Sequence, residues 1–329
     1  MAKVLFSRYY KNLQNAGPKA KIDIEKILEE KFDFRIITIN EKKKMNKFWN
    51  LILLIETIIK MMTLKKEDIV CFQFPFSYKA MKFCKNKKIC IIHDLNGLRY
   101  NDEKKLDEEI NAINYCNKII AHNDRMKEEL LKRGIDKNKI IVLELFDYLT
   151  ESTSFEEKKF NPKELTLVYP GNLAKEKSPF IYQLDEKEMN FIINLYGNGL
   201  NLNNNNKLIY KGSFSPNSLE KINGDIGLIW DGNNNTNDEN YGFKNYTKYN
   251  NPHKVSCCLA RGIPIIVWEK SAISDFVKKN NIGWTINNIY DINKINFSDY
   301  KEKKKNAINI GKKVRKGYFI SNAIKKSIE

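Results

Sequence analysis

Apolar positions in the first 145 residues fall in short β-branched runs separated by longer amphipathic stretches. The runs at residues 4–7, 34–39, 68–74, 88–93, 118–121 and 139–145 have strand length. Segments 19–30 and 124–133 repeat apolar side chains at helical spacing, the second closed by Gly134. Strand and helix in alternation predict a parallel sheet with helices on both faces. A polar break follows at Glu151-Ser152-Thr153-Ser154 and Asn161-Pro162. The pattern then restarts, with strands expected at 165–169, 191–196, 207–210, 225–230 and 263–268. Residues 233–251 are Asn-rich and aperiodic and read as a long loop. The expected fold is α/β, with two Rossmann-like doubly wound domains facing a central cleft. Residues 1–155 form one domain and 160–310 the other, and residues 311–329 form a helix that packs back on the first. Ligands of open α/β sheets bind beyond the carboxyl ends of strands, so residues just after strands are the candidates.

The length of 329 residues suits two cores of about 150 residues each. With 42% hydrophobic and 12% aromatic residues the chain is not disordered. The net charge of +17 admits nucleic acid, an anionic membrane or a phosphorylated substrate as partner. The lysines are spread along the chain, with runs at 42–44 and 303–305, and no nucleic-acid-reading motif accompanies them. A basic face held against a membrane is the better reading. The six cysteines form no C-x-x-C pair and are read as reduced thiols of a cytoplasmic protein. Residues 1–6 enter a strand without a signal-peptide pattern. Residues 48–62 are apolar, but too short and too interrupted by Glu56 and Lys60 to span a membrane. They read as a buried or subunit-interface helix, or as one lying in the membrane interface.

Candidate chemistry concentrates at strand ends. In Tyr249-Asn250-Asn251-Pro252-His253-Lys254, Asn251 is the expected N-cap and Pro252 the first helical residue. Lys254 then sits in the first turn, where the helix dipole disfavours a cation. An anion bound at that helix start, held by backbone N–H groups and Lys254 together, removes the conflict. In Tyr169-Pro170-Gly171-Asn172-Leu173-Ala174-Lys175-Glu176-Lys177, Gly171 permits close backbone approach, and Lys175 or Lys177 could reach a phosphate. Tyr210 or Phe214 could cover a base. Asp94 follows an apolar strand and could take a proton from an attacking hydroxyl, with His93 on the opposite side of the strand. His122 precedes a helix N-cap pattern and reads as structural. Gly17 and Pro18 are expected to shape a loop between the first strand and the first helix. The chain has no D-x-D pair, no G-x-x-x-x-G-K-[ST] loop and no H-E-x-x-H. A diphosphate would therefore be neutralised by lysines and helix amides, with no metal or other cofactor expected.

Taken in order, these segments resemble one family over nearly the whole chain. Tyr249-Asn250-Asn251-Pro252-His253-Lys254 with Ile263-Pro264-Ile265-Ile266-Val267-Trp268 is similar to the donor-site segment of bacterial β-1,6-galactofuranosyltransferases, which build O-antigen and capsule repeats. So are Tyr169-Pro170-Gly171-Asn172-Leu173, Ile226-Gly227-Leu228-Ile229-Trp230-Asp231-Gly232, Leu145-Phe146-Asp147-Tyr148-Leu149, His93-Asp94 and Ala16-Gly17-Pro18-Lys19-Ala20. A more distant likeness is to the streptococcal glucosyltransferases of serine-rich adhesins. The resemblance implies a GT-B fold, a UDP-sugar donor, no metal, and an oligomer joined through N-terminal halves. It implies that Lys254 and its neighbours hold the diphosphate. Together with the strand-end reading, the expected donor site is Gly17, Asn172, Lys175, Tyr210, Phe214, Asn250, Asn251, His253 and Lys254, and the expected reaction is an inverting transfer with Asp94 as the catalytic base. At Lys175 the distant relatives carry an arginine, and lysine keeps the charge without the bidentate fork. The expected acceptor is a lipid-linked saccharide at the inner face of the membrane; the rival readings are glycoprotein glucosylation and a non-catalytic partner subunit.

Overall fold

The computed structural model describes residues 1–8, 16–39, 47–76, 78–150, 159–203, 205–234 and 245–329. The basic run at 42–44, the polar break at 151–154 and most of the Asn-rich stretch lie outside the described residues. The chain divides into two compact units. One is built on Lys21–Glu144, with the first strand and Phe319–Glu329. The other is built on Leu145–Tyr318 and includes the start of the first helix, up to Ala20.

The first unit holds six strands: β1 (Lys3–Arg8), β2 (Phe34–Ile39), β3 (Ile69–Phe74), β4 (Lys87–Ile92), β5 (Lys118–Ala121) and β6 (Ile140–Val142). They pair in parallel in the order β2-β1-β3-β4-β5-β6. Val4 stands beside Arg35 on one side and Val70 on the other. Both faces of β3 are buried, which explains its unbroken apolar run. The first helix spans Ala16–Phe32, so Gly17 and Pro18 lie inside its first turn and not in a loop. Proline is tolerated there because the N–H it lacks has no acceptor one turn back. The helix Lys47–Met62 packs Leu53, Leu54 and Ile58 on the core of this unit, while Leu51, Ile55 and Ile59 are exposed.

The second unit holds β7 (Thr166–Pro170), β8 (Ile192–Tyr196), β9 (Leu208–Tyr210), β10 (Ile226–Ile229), β11 (Ile265–Trp268) and β12 (Gly283–Ile286). All pair in parallel, in the order β12-β11-β10-β7-β8-β9. The order reverses between β7 and β10, which is where such sheets bind ligands. β12 was not expected from the sequence. It is four residues long and only partly buried, and it opens on a glycine, which weakens the strand pattern. That glycine is required: a Cβ on Gly283 would lie 1.8 Å from the Ile265 carbonyl oxygen.

The helix His253–Ala260 follows β10 and carries the candidate segment. Pro252, extended at ψ 136°, is its N-cap, and no side chain caps it. The helix therefore starts one residue later than expected. Asn251 is a buried residue ahead of the cap, and Pro252 is not the first helical residue. Proline's ring fixes φ in a range that serves either position, so the sequence alone does not separate them. Behind this helix runs Tyr300–Arg315, across the expected boundary at 310/311. The two helices meet at Gly311, where a Cβ would lie 2.1 Å from the Leu259 carbonyl oxygen. Arg315 Nη1 donates to the Ala260 carbonyl at 2.6 Å, satisfying an orphan at the end of the shorter helix. Gly311→Ala is expected to destabilise the second unit by about 1–3 kcal/mol through overpacking. Urea unfolding followed by tryptophan fluorescence measures this, since Trp230, Trp268 and Trp284 all belong to that unit.

Candidate functional site

A cavity of about 510 Å³ opens at the carboxyl ends of β7 and β8 and the start of the helix His253–Ala260. That volume lies within the range of small-molecule sites. Its walls are two glycine-bearing turns and an aromatic patch. Gly171 N donates to the Tyr196 carbonyl and Leu173 N to the Asn198 carbonyl, both at 2.9 Å, so the turns after β7 and β8 are laced together. Gly197, at φ +144°, has no room for a side chain, because a Cβ would meet the Gly171 carbonyl oxygen at 1.8 Å. Neither Gly197 nor Gly199 was singled out in the sequence. The signal was there, as Gly197-Asn198-Gly199 directly follows a strand.

Lys254 is the centre of this region. Its ammonium donates to Tyr169 Oη at 3.0 Å, to the Trp230 carbonyl at 2.8 Å and to Asp231 Oδ1 at 2.9 Å. An ammonium has three N–H donors, and all three are engaged. The side chain is 9% exposed and that of Asp231 5%. Burial acts against the charge on Lys254, but the Asp231 carboxylate and the Tyr169 hydroxyl outweigh it and hold the lysine above its usual range. The hydrogen bonds continue. Ser178 Oγ donates to the Asn172 carbonyl at 2.7 Å and bonds Tyr169 Oη at 2.6 Å. One cation thus ties together the ends of β7 and β10 and the turn at 172–178. Lys177 adds a second positive charge 3.9 Å from Asp231. The sequence pointed to Lys254 but not to Tyr169, Trp230 or Asp231 as its partners.

His253 lines the same cavity. Its Nε2 lies 3.2 Å from the Asp147 carbonyl, which must accept, so Nε2 carries the proton and Nδ1 is an acceptor. The ring stacks on Tyr148 at 5.0 Å between centroids. Burial above all, reinforced by the charge of Lys19, pushes its pKa down to about 4, although the Asp147 hydrogen bond resists. Nδ1 and the neighbouring Asn250 Oδ1 are both buried without a hydrogen-bond partner. Of the two, only His253 belongs to the lining of the cavity, so its Nδ1 is the acceptor that a ligand's hydroxyl or N–H could satisfy. Lys19, not chosen from the sequence, is buried behind Tyr148. It donates to the Leu149 carbonyl at 2.7 Å and stands 5.0 Å from the Tyr148 ring centroid.

The other candidates divide. Asn172 and Phe214 line the cavity; Phe214 packs edge-on to Tyr196, and Asn172 Oδ1 accepts from Ala174 N. Tyr210 is exposed outside the lining and donates its hydroxyl to the Gly197 carbonyl, bracing the wall. Lys175 is exposed and outside the lining. Asn251 is buried outside it, and Gly17 lies in the first helix. Asp94, in the first unit, follows β4 and pairs with Arg99 at 3.2 Å. His93 bonds Gln73 Oε1 at 2.7 Å, and Gln73 Nε2 donates to Glu25 at 3.2 Å. His122 is buried, bonds the Ile92 carbonyl and is pushed down to about 4 mainly by burial, as a structural histidine would be. Among the described residues, no group of three or more His, Cys, Asp or Glu side chains is placed to hold a metal ion.

Comparisons with known proteins agree in kind. The N-terminal domain of glucosyltransferase 3-like proteins matches residues 3–145, and their C-terminal domain matches residues 167–327. The β-1,6-galactofuranosyltransferase WbbI of Escherichia coli K12 is 30% identical over 283 residues, 81% of each chain. Glucosyltransferase 3 of Streptococcus parasanguinis is 25% identical over 285 residues, 80% of each chain. Among solved structures, Anabaena HepE in complex with UDP and glucose superposes with a TM-score of 0.61 at 12% identity, covering 99% of this chain and 98% of that one. That last likeness is one of fold.

Two outcomes test this geometry. Lys254→Met leaves the Asp231 carboxylate buried without its main partner and is expected to cost about 3–5 kcal/mol; Lys254→Met with Asp231→Leu should recover much of that. Tryptophan-monitored urea unfolding reads both, and a single variant within about 1 kcal/mol of the parent would contradict the role given to Lys254. The second outcome concerns pH. The unfolded chain protonates a histidine near 6.5 while folded His253 stays neutral down to about 4, so protons favour unfolding between those values. Stability of the second unit should fall as pH drops through that window, by up to about 3 kcal/mol, and His253→Phe should flatten the slope.

Proposed function

The chain belongs to the glucosyltransferase 3-like family of GT-B glycosyltransferases, and on that footing we propose that it transfers galactofuranose from UDP-galactofuranose to a saccharide acceptor in surface-polysaccharide assembly. The observation that carries this reading is the cavity at the start of the helix His253–Ala260. The first amides of a helix lack carbonyls one turn back, and they point with the dipole at whatever lies before them. A diphosphate placed there would meet those amides in the field of the Lys254, Lys177 and Asp231 cluster, which carries one excess positive charge. The transfer is proposed to need no metal; among the described residues the lining of the cavity holds lysine, histidine and amide groups. Asn172, Phe214 and His253 would contact the nucleotide or sugar, and Asn250 would support them from outside the lining. Lys175, Tyr210, Asn251 and Gly17 would support the site from outside its lining.

The proposed reaction is inverting. The acceptor hydroxyl attacks the anomeric carbon, the bond from that carbon to the diphosphate oxygen breaks, and UDP leaves from the opposite face. Asp94 takes the hydroxyl proton, and Arg99 beside it fixes the orientation of the carboxylate. The acceptor is read as lipid-linked, which places the enzyme in the cytoplasm, peripheral to the inner face of the membrane. Among the described residues no helix is long and apolar enough to cross a membrane. A second reading, glucosyl transfer to a glycoprotein, draws on the likeness to Streptococcus parasanguinis glucosyltransferase 3.

A donor screen decides between them. UDP-galactofuranose, UDP-galactopyranose and UDP-glucose are offered with a saccharide acceptor, and the anomeric configuration of the product is read by NMR. Turnover of the furanose donor with inversion is the expected result; preference for UDP-glucose would favour the second reading. Asp94→Asn should lower kcat by about 10²-fold or more and leave UDP affinity unchanged.

A further inference from the structure

In the first unit the helix Glu103–Asn114 buries Leu106, Glu109, Ile110 and Ile113, the spacing of an apolar stripe with a carboxylate in the middle of it. Glu109 is 0% exposed. A carboxyl group is costly to bury unless hydrogen bonds replace its water. Both of its oxygens accept: Oε2 takes the Gly97 amide at 2.9 Å, and Oε1 the Asn96 side-chain amide at 3.2 Å. Burial pushes the Glu109 carboxyl above its usual range, against the pull of these hydrogen bonds and of Lys105. The two donors belong to the short helix Asn96–Tyr100, whose N-cap Leu95 offers no side-chain acceptor. A local cap would satisfy the same amides without tying them to another element. A cap supplied from a neighbouring buried helix also fixes where the short helix lies. Gly97 closes that contact, since a Cβ there would stand 2.3 Å from Leu106 Cβ. Arg99 N donates to the Leu95 carbonyl at 3.0 Å and Asp102 N to the Gly97 carbonyl at 2.9 Å, which bonds the turn through to the start of Glu103–Asn114. Arg99, on the far turn of the short helix, pairs with Asp94 at 3.2 Å.

We infer that Glu109 is a positioning residue for the transfer: it holds the helix Asn96–Tyr100 so that Arg99 sets the direction of the Asp94 carboxylate. The inference deepens the reading of Asp94 as the base and rests on it. Stability alone does not call for a carboxylate at this place, because an apolar side chain would complete the buried stripe and remove the cost of burying a charge. Catalysis does call for a fixed geometry. A base works only within hydrogen-bond reach of the proton it takes, and a misplacement of about 1 Å can cost about a hundredfold in rate. The residue before Asp94 is held as well, since His93 Nε2 donates to Gln73 Oε1 at 2.7 Å. Asp94 thus stands between two anchored neighbours, one tied to a strand and the other to a buried glutamate.

The full chain tests this in four forms: the parent, Glu109→Gln, Asp94→Asn and the two substitutions together. Glutamine keeps the shape of Glu109, but one of its two acceptors becomes a donor facing a donor. The rate measured is UDP release from the three UDP-sugars of the donor screen, with water and with octyl glucoside as acceptors. UDP affinity is measured by calorimetry. Glu109→Gln is expected to lower kcat by about tenfold or more, with UDP affinity within about twofold of the parent. In the Asp94→Asn background the same substitution should change the rate by less than about twofold, because its effect passes through Asp94. Hydrogen exchange at the Gly97 and Arg99 amides should quicken by about tenfold in Glu109→Gln. Should that variant not fold, Asn96→Ala removes one of the two hydrogen bonds and is expected to lose about threefold in rate, again only where Asp94 is present. A Glu109→Gln enzyme as fast as the parent, or one that loses the same factor with and without Asp94, would overturn the proposal. An Asp94→Asn enzyme as fast as the parent would overturn Asp94 as the base, and the role of Glu109 with it. Quickened exchange in Glu109→Gln tells that outcome apart from a glutamate that holds nothing.

Discussion

The buried pair of Lys254 and Asp231 is the constraint on which the site depends. A charge that is 9% exposed is stable only if its hydrogen bonds and its counter-charge are in place. Lys254 finds them on the ends of two strands that meet where the strand order reverses. Its partner Tyr169, through Ser178, passes the ordering on to Asn172 in the lining of the cavity. The shape of the cavity and the protonation state of its lysine are therefore one property of the fold.

This arrangement changes the role of the lysine. A free ammonium at a helix start would act on an anion by direct contact. With its three donors engaged inside the protein and its charge largely balanced by Asp231, Lys254 would, in the proposed function, position the site, with Lys177 supplying the surplus positive charge and direct contacts left to amides of the helix and the glycine turns. Such preorganised groups need little rearrangement when charge develops on a leaving diphosphate. Gly171, Gly197 and Gly199 belong to the same logic, since backbone can approach a ligand closely only where no Cβ stands in the way. Gly311 and Gly283 serve the layer behind, letting a helix and a strand close on the elements that carry the site.

Much of the fold was legible because a parallel sheet buried on both faces writes unbroken β-branched runs into the chain. The eleven strand positions read from those runs are all strands. β12 was not legible, because a four-residue edge strand opening on glycine leaves too little pattern. The helix start was read one residue early, since proline fits the cap and the first turn alike. Lys254 was found from a local contradiction, a cation against a helix dipole. Its partners were not, because Tyr169 and Asp231 lie 85 and 23 residues away and nothing local in the sequence marks the contact. Lys19 was missed for the same reason, being brought to Tyr148 by a separation of 130 residues from its acceptor Leu149.

The central claim is that the helix His253–Ala260 presents its first amides to a nucleotide diphosphate. A crystal structure of the chain with UDP tests it most directly. The account predicts the diphosphate against the amides of His253 and Lys254, in the cavity bordered by Gly171 and Gly197, with the Lys254–Asp231 pair intact. UDP bound elsewhere, or a diphosphate that draws Lys254 away from Asp231, would contradict it.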